Sequence, residues 1–310
     1  MTNIRRHGRV RAQADTDTLR HRALQLVWRR STAALTLLFL VGSVSAAAQA
    51  VTGPHTQINL TSENASIMPG RPFWVGLHFT LEPKWHIYWI NPGDSGEPPV
   101  VEWKLPPGFR AGEIQWPAPR RIEAFSLVDY GYLGDVLLPV LIHPSAGLRA
   151  GTKVELSATV KWLVCSNSCI PAQGKISLEL PVETGVPHPN PAARQIFERA
   201  RVSLPKPVPA GWRVSAVSAP NDFILSIDSA RPHRDAVFFP LAAEQIKDAA
   251  PQQVLTQGRR LELQLRKSDL LTKPLSVLSG VVVFPSGPAF VVHARVEQES
   301  RSSARRSRGT

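Results

Sequence analysis

Three things are scarce in this sequence, and each scarcity narrows what the protein can be. Long apolar runs come first: the best is Ala33 to Val44, twelve residues, well short of the roughly 20 needed to span a bilayer. Nothing later is longer, so contact with a membrane is at most peripheral. Positive charge is scarce where it would matter. The net charge is +12, but residues 1–50 supply +6 and residues 299–310 supply +3. The remaining body carries only +3, too little for a nucleic-acid groove. Cysteine is the scarcest, with only Cys165 and Cys169 in 310 residues.

The ends of the chain explain most of the charge. An arginine-rich start runs to Arg29-Arg30, an apolar core follows, and Ala48-Gln49-Ala50 forms a small-x-small cleavage pattern. Residues 1–50 read as a signal peptide, which places the mature protein in an oxidising compartment where disulfides form. Residues 299–310, rich in Arg and Ser, read as a disordered basic tail.

Between the ends, 28 prolines and 8 tryptophans favour many short strands and turns over long helices. His55 to Leu60, Phe73 to Leu81, Trp85 to Ile90, Val100 to Leu105, Ile114 to Trp116, Leu127 to Tyr132 and Val136 to Ile142 read as strands. Val154 to Trp162 and Ile176 to Leu180 add two more. Turn signals separate them about every ten residues, the pattern of an immunoglobulin-like antiparallel β-sandwich over residues 51–185. Residues 186–211 change character. Asn190 to Ala200 reads as one helix opened by a proline, and Leu204 to Gly211 as a stiff linker. Alternation returns in 212–298, a second, smaller β-sandwich with no cysteine and no His, Asp or Glu at ligand spacing. The fold class is therefore all-β, in two domains.

Function depends on how the cysteine pair is read. Both cysteines are expected on a short Ser-Asn-Ser connection between two strands, closed by Pro171 and Gly174. A structural staple is one reading, although so short a loop is worth only about 2 kcal/mol. A zinc site is another, but two thiolates need two further ligands and no histidine lies close in sequence, His143 and His188 being the nearest on either side. The third is a dithiol that cycles with its disulfide: the spacing keeps each sulfur within reach of the other, so a mixed disulfide on one is resolved by its neighbour. Lys161 and Lys175 flank the pair, either as activating charges or as ordinary solvent-facing strand residues.

Three segments together, Trp85-His86-Ile87-Tyr88-Trp89-Ile90-Asn91-Pro92-Gly93-Asp94-Ser95-Gly96, Asp129-Tyr130-Gly131-Tyr132, and Trp162 to Cys165 with Cys169-Ile170-Pro171, resemble the periplasmic N-terminal region of the DsbD and ScsB group of thiol:disulfide interchange proteins. The resemblance runs from about residue 55 to 185. It implies a periplasmic protein-disulfide reductase needing no cofactor or metal, with Cys169 exchanging with partners and Cys165 resolving. It also implies that Tyr130 and Gly131 lie in a loop covering the pair, with Asp129 where an aromatic shield is expected. The transmembrane and thioredoxin-like parts of that group have no counterpart in the sequence. The implied partners are thus periplasmic thiol or disulfide proteins and a separate thioredoxin-like or membrane electron donor. Copper tolerance, cytochrome maturation and isomerase recycling are all compatible with it. The alternative is a non-enzymatic binding or assembly module with a permanent disulfide.

Overall fold

The structure, a computed structural model, describes residues 48–298 apart from Ser286. The expected leader up to residue 47 and the expected tail from residue 299 lie outside the described residues.

Seven strands make the first sheet: β1 (Ala48–Gln49), β5 (His86–Gly93), β6 (Val100–Lys104), β8 (Arg120–Ala124), β9 (Leu127–Leu133), β11 (Lys153–Cys165) and β12 (Cys169–Pro181). Their order is β1-β12-β11-β5-β9-β8, with β6 also paired to β11. The facing sheet has the order β2-β3-β4-β10-β7, from β2 (Val51–Gly53), β3 (Thr56–Ser62), β4 (Phe73–Leu81), β10 (Asp135–His143) and β7 (Arg110–Ile114). Strict alternation sets which faces meet. Phe73, Val75, Leu77, Phe79 and Leu81 of β4 are buried against Val154, Leu156, Ala158, Val160, Trp162 and Val164 of β11 in one core. Each such large apolar side chain contributes about 1.5–3 kcal/mol when fully buried. The outer side of the second sheet is covered by the helix α1 (Pro191–Ser203), whose Ala193, Phe197 and Ala200 pack on Leu137 and Trp74. Asn190 caps it, its side chain accepting from Ala192 N at 3.1 Å.

A third sheet, β16-β19-β20-β14-β15-β18-β17, folds on itself to make a second sandwich. It is built from β14 (Arg213–Ser218), β15 (Asp222–Asp228), β16 (Val237–Pro240), β17 (Gln253–Gln257), β18 (Arg260–Arg266), β19 (Val277–Val283) and β20 (Ala289–Gln298), with the short β13 (Lys206–Pro207) beside β20. Phe223, Leu225 and Ile227 meet Phe238, Leu278 and Val282 in its core. Alternate residues of the same strands, Phe239, Val281 and Ala289, belong to the first core instead. The Phe-Phe and Val-Val-Val runs of β16 and β19 are thereby explained, since both faces of these strands are buried.

Three sequence expectations need correction. The cysteines do not stand on a loop closed by Pro171 and Gly174; the ladder of β11 and β12 runs unbroken from Lys153↔Pro181 to Cys165↔Cys169, leaving only Ser166–Asn167–Ser168 as turn. Pro171 is tolerated inside β12 because the strand has β11 on one side only at that point. The strand expected at Ile114 to Trp116 lies at Arg110–Ile114. Two edge strands, β8 and β17, were not legible, because neither has a fully buried side chain on either face and so neither has a clear alternation to read.

Candidate functional site

Pleating decides where the cysteines point. In the β11–β12 hairpin, Val160, Trp162 and Val164 face the core, so Lys161, Leu163 and Cys165 face outward, opposite Gln173, Pro171 and Cys169. Cys165 and Cys169 are joined in a disulfide. Their exposure differs sharply: Cys165 is 1% exposed, whereas Cys169 is exposed at the start of its strand.

Cys165 is sunk because β5 lies alongside it, with His86 as its cross-strand partner. In β5 the period-2 rule sends Ile87 and Trp89 into the core and leaves His86 and Tyr88 on the same outer face as the sulfurs. The Tyr88 hydroxyl lies 3.5 Å from Cys169 Sγ and donates to Asp129 Oδ2, also at 3.5 Å. Asp129 is 2% exposed and surrounded by donors: His86 Nε2 is 3.2 Å from Oδ2, and the Ser95 hydroxyl donates to Oδ1 at 2.7 Å. A buried carboxylate needs such partners. Burial, reinforced by the Asp129 charge, pushes the Tyr88 phenol up to about 12, so it keeps its proton near neutral pH.

The segment after β5 closes over this group. Asp94 Oδ2 accepts from Val128 N at 2.8 Å, placing Ser95 over Asp129 and Gly96 over Tyr88. A Cβ on Gly96 would run into the Tyr88 ring, and its φ of 81° suits glycine. Gly131, opposite Tyr88 in β9, is equally constrained, because a Cβ there would strike the Ile87 carbonyl.

The other expected site residues fall into two groups. Pro171 lies on the outer face two residues from Cys169, whereas Trp162 points into the core, away from the sulfurs, and packs edge-on against Phe79. Pro171, Leu163 and Lys161 also line a cleft of about 520 Å³ with Glu97, Pro98 and Val100. Tyr130 and Gly131, expected in a covering loop, are instead within β9. Tyr130 is next to Asp129 and so points the opposite way, fully buried, with its hydroxyl donating to Asp248 Oδ1 at 2.8 Å. The exposed aromatic of that hairpin is Phe125 at its turn, 88% exposed with φ 59°. The lysines do not activate the pair: Lys161 donates to Glu102 Oε1 at 2.7 Å, and Lys175 sits opposite Thr159, six positions along the strand from Cys169. Among the described residues no group of three or more His, Cys, Asp or Glu side chains forms a metal-ligating cluster.

His86, Tyr88 and Ser95 were not singled out from the sequence as site residues. The signal was present: a His and a Tyr two apart within an aromatic strand share one face, and the alternating Ile87 and Trp89 take the other.

Comparison with known proteins agrees with this geometry. Residues 57–181 match the family described as thiol:disulfide interchange protein DsbD, N-terminal. No curated protein matches the chain. Among solved structures, the N-terminal periplasmic domain of ScsB from Proteus mirabilis is similar over 82% of this chain and 100% of its own, with 20% identity and a TM-score of 0.63. At that identity the likeness concerns the fold, and its extent takes in more than the matched family region. Residues 57–181, which hold both cysteines, are thus the part of this chain that resembles the N-terminal region of DsbD in sequence, and the ScsB domain shares its fold.

Proposed function

We propose that the protein exchanges disulfides with other periplasmic proteins through Cys165 and Cys169, carrying reducing equivalents in the manner of a protein-disulfide reductase. The observation that carries this reading is the unequal exposure of the two sulfurs, one open to a partner and one buried behind it. A thiolate of a reduced donor attacks Cys169 Sγ. The bond between Cys169 and Cys165 breaks, Cys165 leaves as thiolate, and the donor is held as a mixed disulfide on Cys169. The donor's second thiol then displaces Cys169, so the donor becomes oxidised and the pair gains two electrons and two protons. In the forward transfer Cys169 attacks a substrate disulfide and Cys165 resolves the adduct. The donor is a separate thioredoxin-like or membrane protein. The periplasmic setting is supported by the leader pattern of residues 1–50 and by the periplasmic ScsB domain whose fold is similar.

Asp129, Tyr88 and His86 support the chemistry on this reading: the Tyr88 hydroxyl turns its hydrogen towards the Cys169 thiolate when the disulfide opens, while His86 and Ser95 hold Asp129. The test is capture. Cys165→Ser accumulates mixed disulfides with periplasmic proteins that vanish with reductant, and Cys169→Ser captures none. Adducts on Cys169→Ser alone would reverse the roles. Adducts on neither would favour the second reading, a binding or assembly module with a permanent disulfide, which the small value of so short a loop as a staple argues against.

A further inference from the structure

The second sandwich has no reactive group of its own at the site, yet it touches the strands that build the site at three places. Asn91, 2% exposed, stands where β5 turns into the covering segment. Its Nδ2 donates to the Pro240 carbonyl at 2.8 Å and the Ala242 carbonyl at 3.4 Å, while its Oδ1 accepts from Gly93 N at 3.2 Å. Tyr130, the chain neighbour of Asp129, donates to Asp248 Oδ1. Arg121, the register partner of Tyr130 on β8, donates to the Asp248 carbonyl at 2.6 Å and the Ala249 carbonyl at 3.4 Å. Between these polar contacts the Phe239 ring packs edge-on against Trp89 and Tyr130, with centroids 6.3 Å and 4.9 Å apart.

The pattern is systematic. On β5 the outward Tyr88 is followed by the inward Trp89, and on β9 the outward Asp129 is followed by the inward Tyr130. Tyr88 and Asp129 thus each have a neighbour held from behind by the stretch Phe239 to Ala249. Asn91 fixes the start of the segment that places Ser95 on Asp129 and Gly96 on Tyr88.

We propose that the stretch Phe239 to Ala249 of the second sandwich is a positioning element for the cysteine pair, acting through Asn91, Tyr130 and Arg121 to hold the covering segment and Asp129 against Tyr88, and so setting how readily Cys169 is attacked. The proposal rests on the exchange reading given above. It assigns a role to a domain whose own side chains offer no chemistry. The Tyr88 hydroxyl lies 3.5 Å from Cys169 Sγ, where it can bond the sulfur as the disulfide opens, and Tyr88 is confined by Gly96. Loosening Asn91 frees that confinement without altering any residue in contact with sulfur.

The test uses the full chain. The rate at which excess dithiothreitol reduces the Cys165–Cys169 disulfide is measured from pH 5 to 9 for the wild type, Asn91→Ala, Tyr130→Phe and a control, Gln264→Ala. The control removes a hydrogen bond to Asp222 within the second sandwich, one that involves none of Asn91, Tyr130 and Arg121. Asn91→Ala and Tyr130→Phe are expected to change the rate by about tenfold, the effect of one lost buried hydrogen bond, and to shift its pH profile, while Gln264→Ala leaves both as in the wild type. Tyr130→Phe keeps the ring, so it reports even if Asn91→Ala fails to fold. Rates within twofold of wild type for the variants, or an equal change in the control, would overturn the positioning role. A wild-type pair reduced only by strong excess of dithiol would instead sink the exchange reading, and the ratio of variant to wild-type rates would still decide the positioning role.

Discussion

The Tyr88 hydroxyl stands 3.5 Å from Cys169 Sγ, bridging the exposed sulfur to a carboxylate, Asp129, that is itself out of reach of solvent. The bridge gives the pair a donor that stays protonated throughout the physiological range, because its phenol is pushed up to about 12 by burial and by Asp129.

Removing that donor has a defined sign. Tyr88→Phe keeps the ring under Gly96 and deletes only the hydroxyl, so the Cys169 thiolate loses a hydrogen bond of the charged kind, worth about 1.5–3 kcal/mol. In a Cys165→Ser background, Tyr88→Phe is expected to raise the thiol pKa of Cys169 and to slow its alkylation at pH 7 by about tenfold. An alkylation profile that does not move would remove Tyr88 from the chemistry.

Asp248 gives a pH dependence. Burial, the largest cause, raises its carboxyl to about 6 from an ordinary 3.8, partly offset by the Tyr130 hydroxyl. The folded state therefore holds the proton more tightly than the unfolded chain. The stability this contributes is full below pH 3.8 and is lost as pH rises to about 6. Asp248→Asn, which cannot ionise, should abolish that loss, so the variant gains on the wild type by about 1–3 kcal/mol between pH 4 and 7. Denaturant titrations of both proteins across that range check it; parallel curves would show that Asp248 does not titrate there.

The division into two sandwiches makes its own prediction. Cleavage within Leu204 to Gly211 should yield two β-rich halves that each unfold cooperatively. The first half should be less stable than in the intact chain, because Phe239, Val281 and Ala289 leave its core. If neither half folds alone, the boundary is misplaced.

Much of this was legible in the sequence wherever one face of a strand is buried. β4 and β11 announce themselves by alternation, and the cysteine pair stands out because nothing else in the chain offers its chemistry. What escaped did so for physical reasons. In β16 and β19 both faces are buried, so Phe238 and Phe239 gave no hint that they serve different cores. Asp129 was visible as a charge near the expected site, but its bonds to His86, Tyr88 and Ser95 depend on β5 lying beside β9, which no local pattern encodes. The strand expected at Leu127 to Tyr132 forms, but the resemblance put Tyr130 in a loop over the pair, whereas in a strand adjacent residues face opposite ways and Asp129 takes the outer face.

The most direct test of the central claim is the redox equilibrium of the pair. The protein, equilibrated with glutathione or dithiothreitol buffers and quenched with a thiol alkylator, yields the fraction of Cys165–Cys169 reduced at each potential. Exchange through this pair predicts a midpoint more oxidising than about −300 mV, in the range of labile disulfides. A pair still oxidised at about −300 mV would be a structural disulfide, and that result would contradict the account.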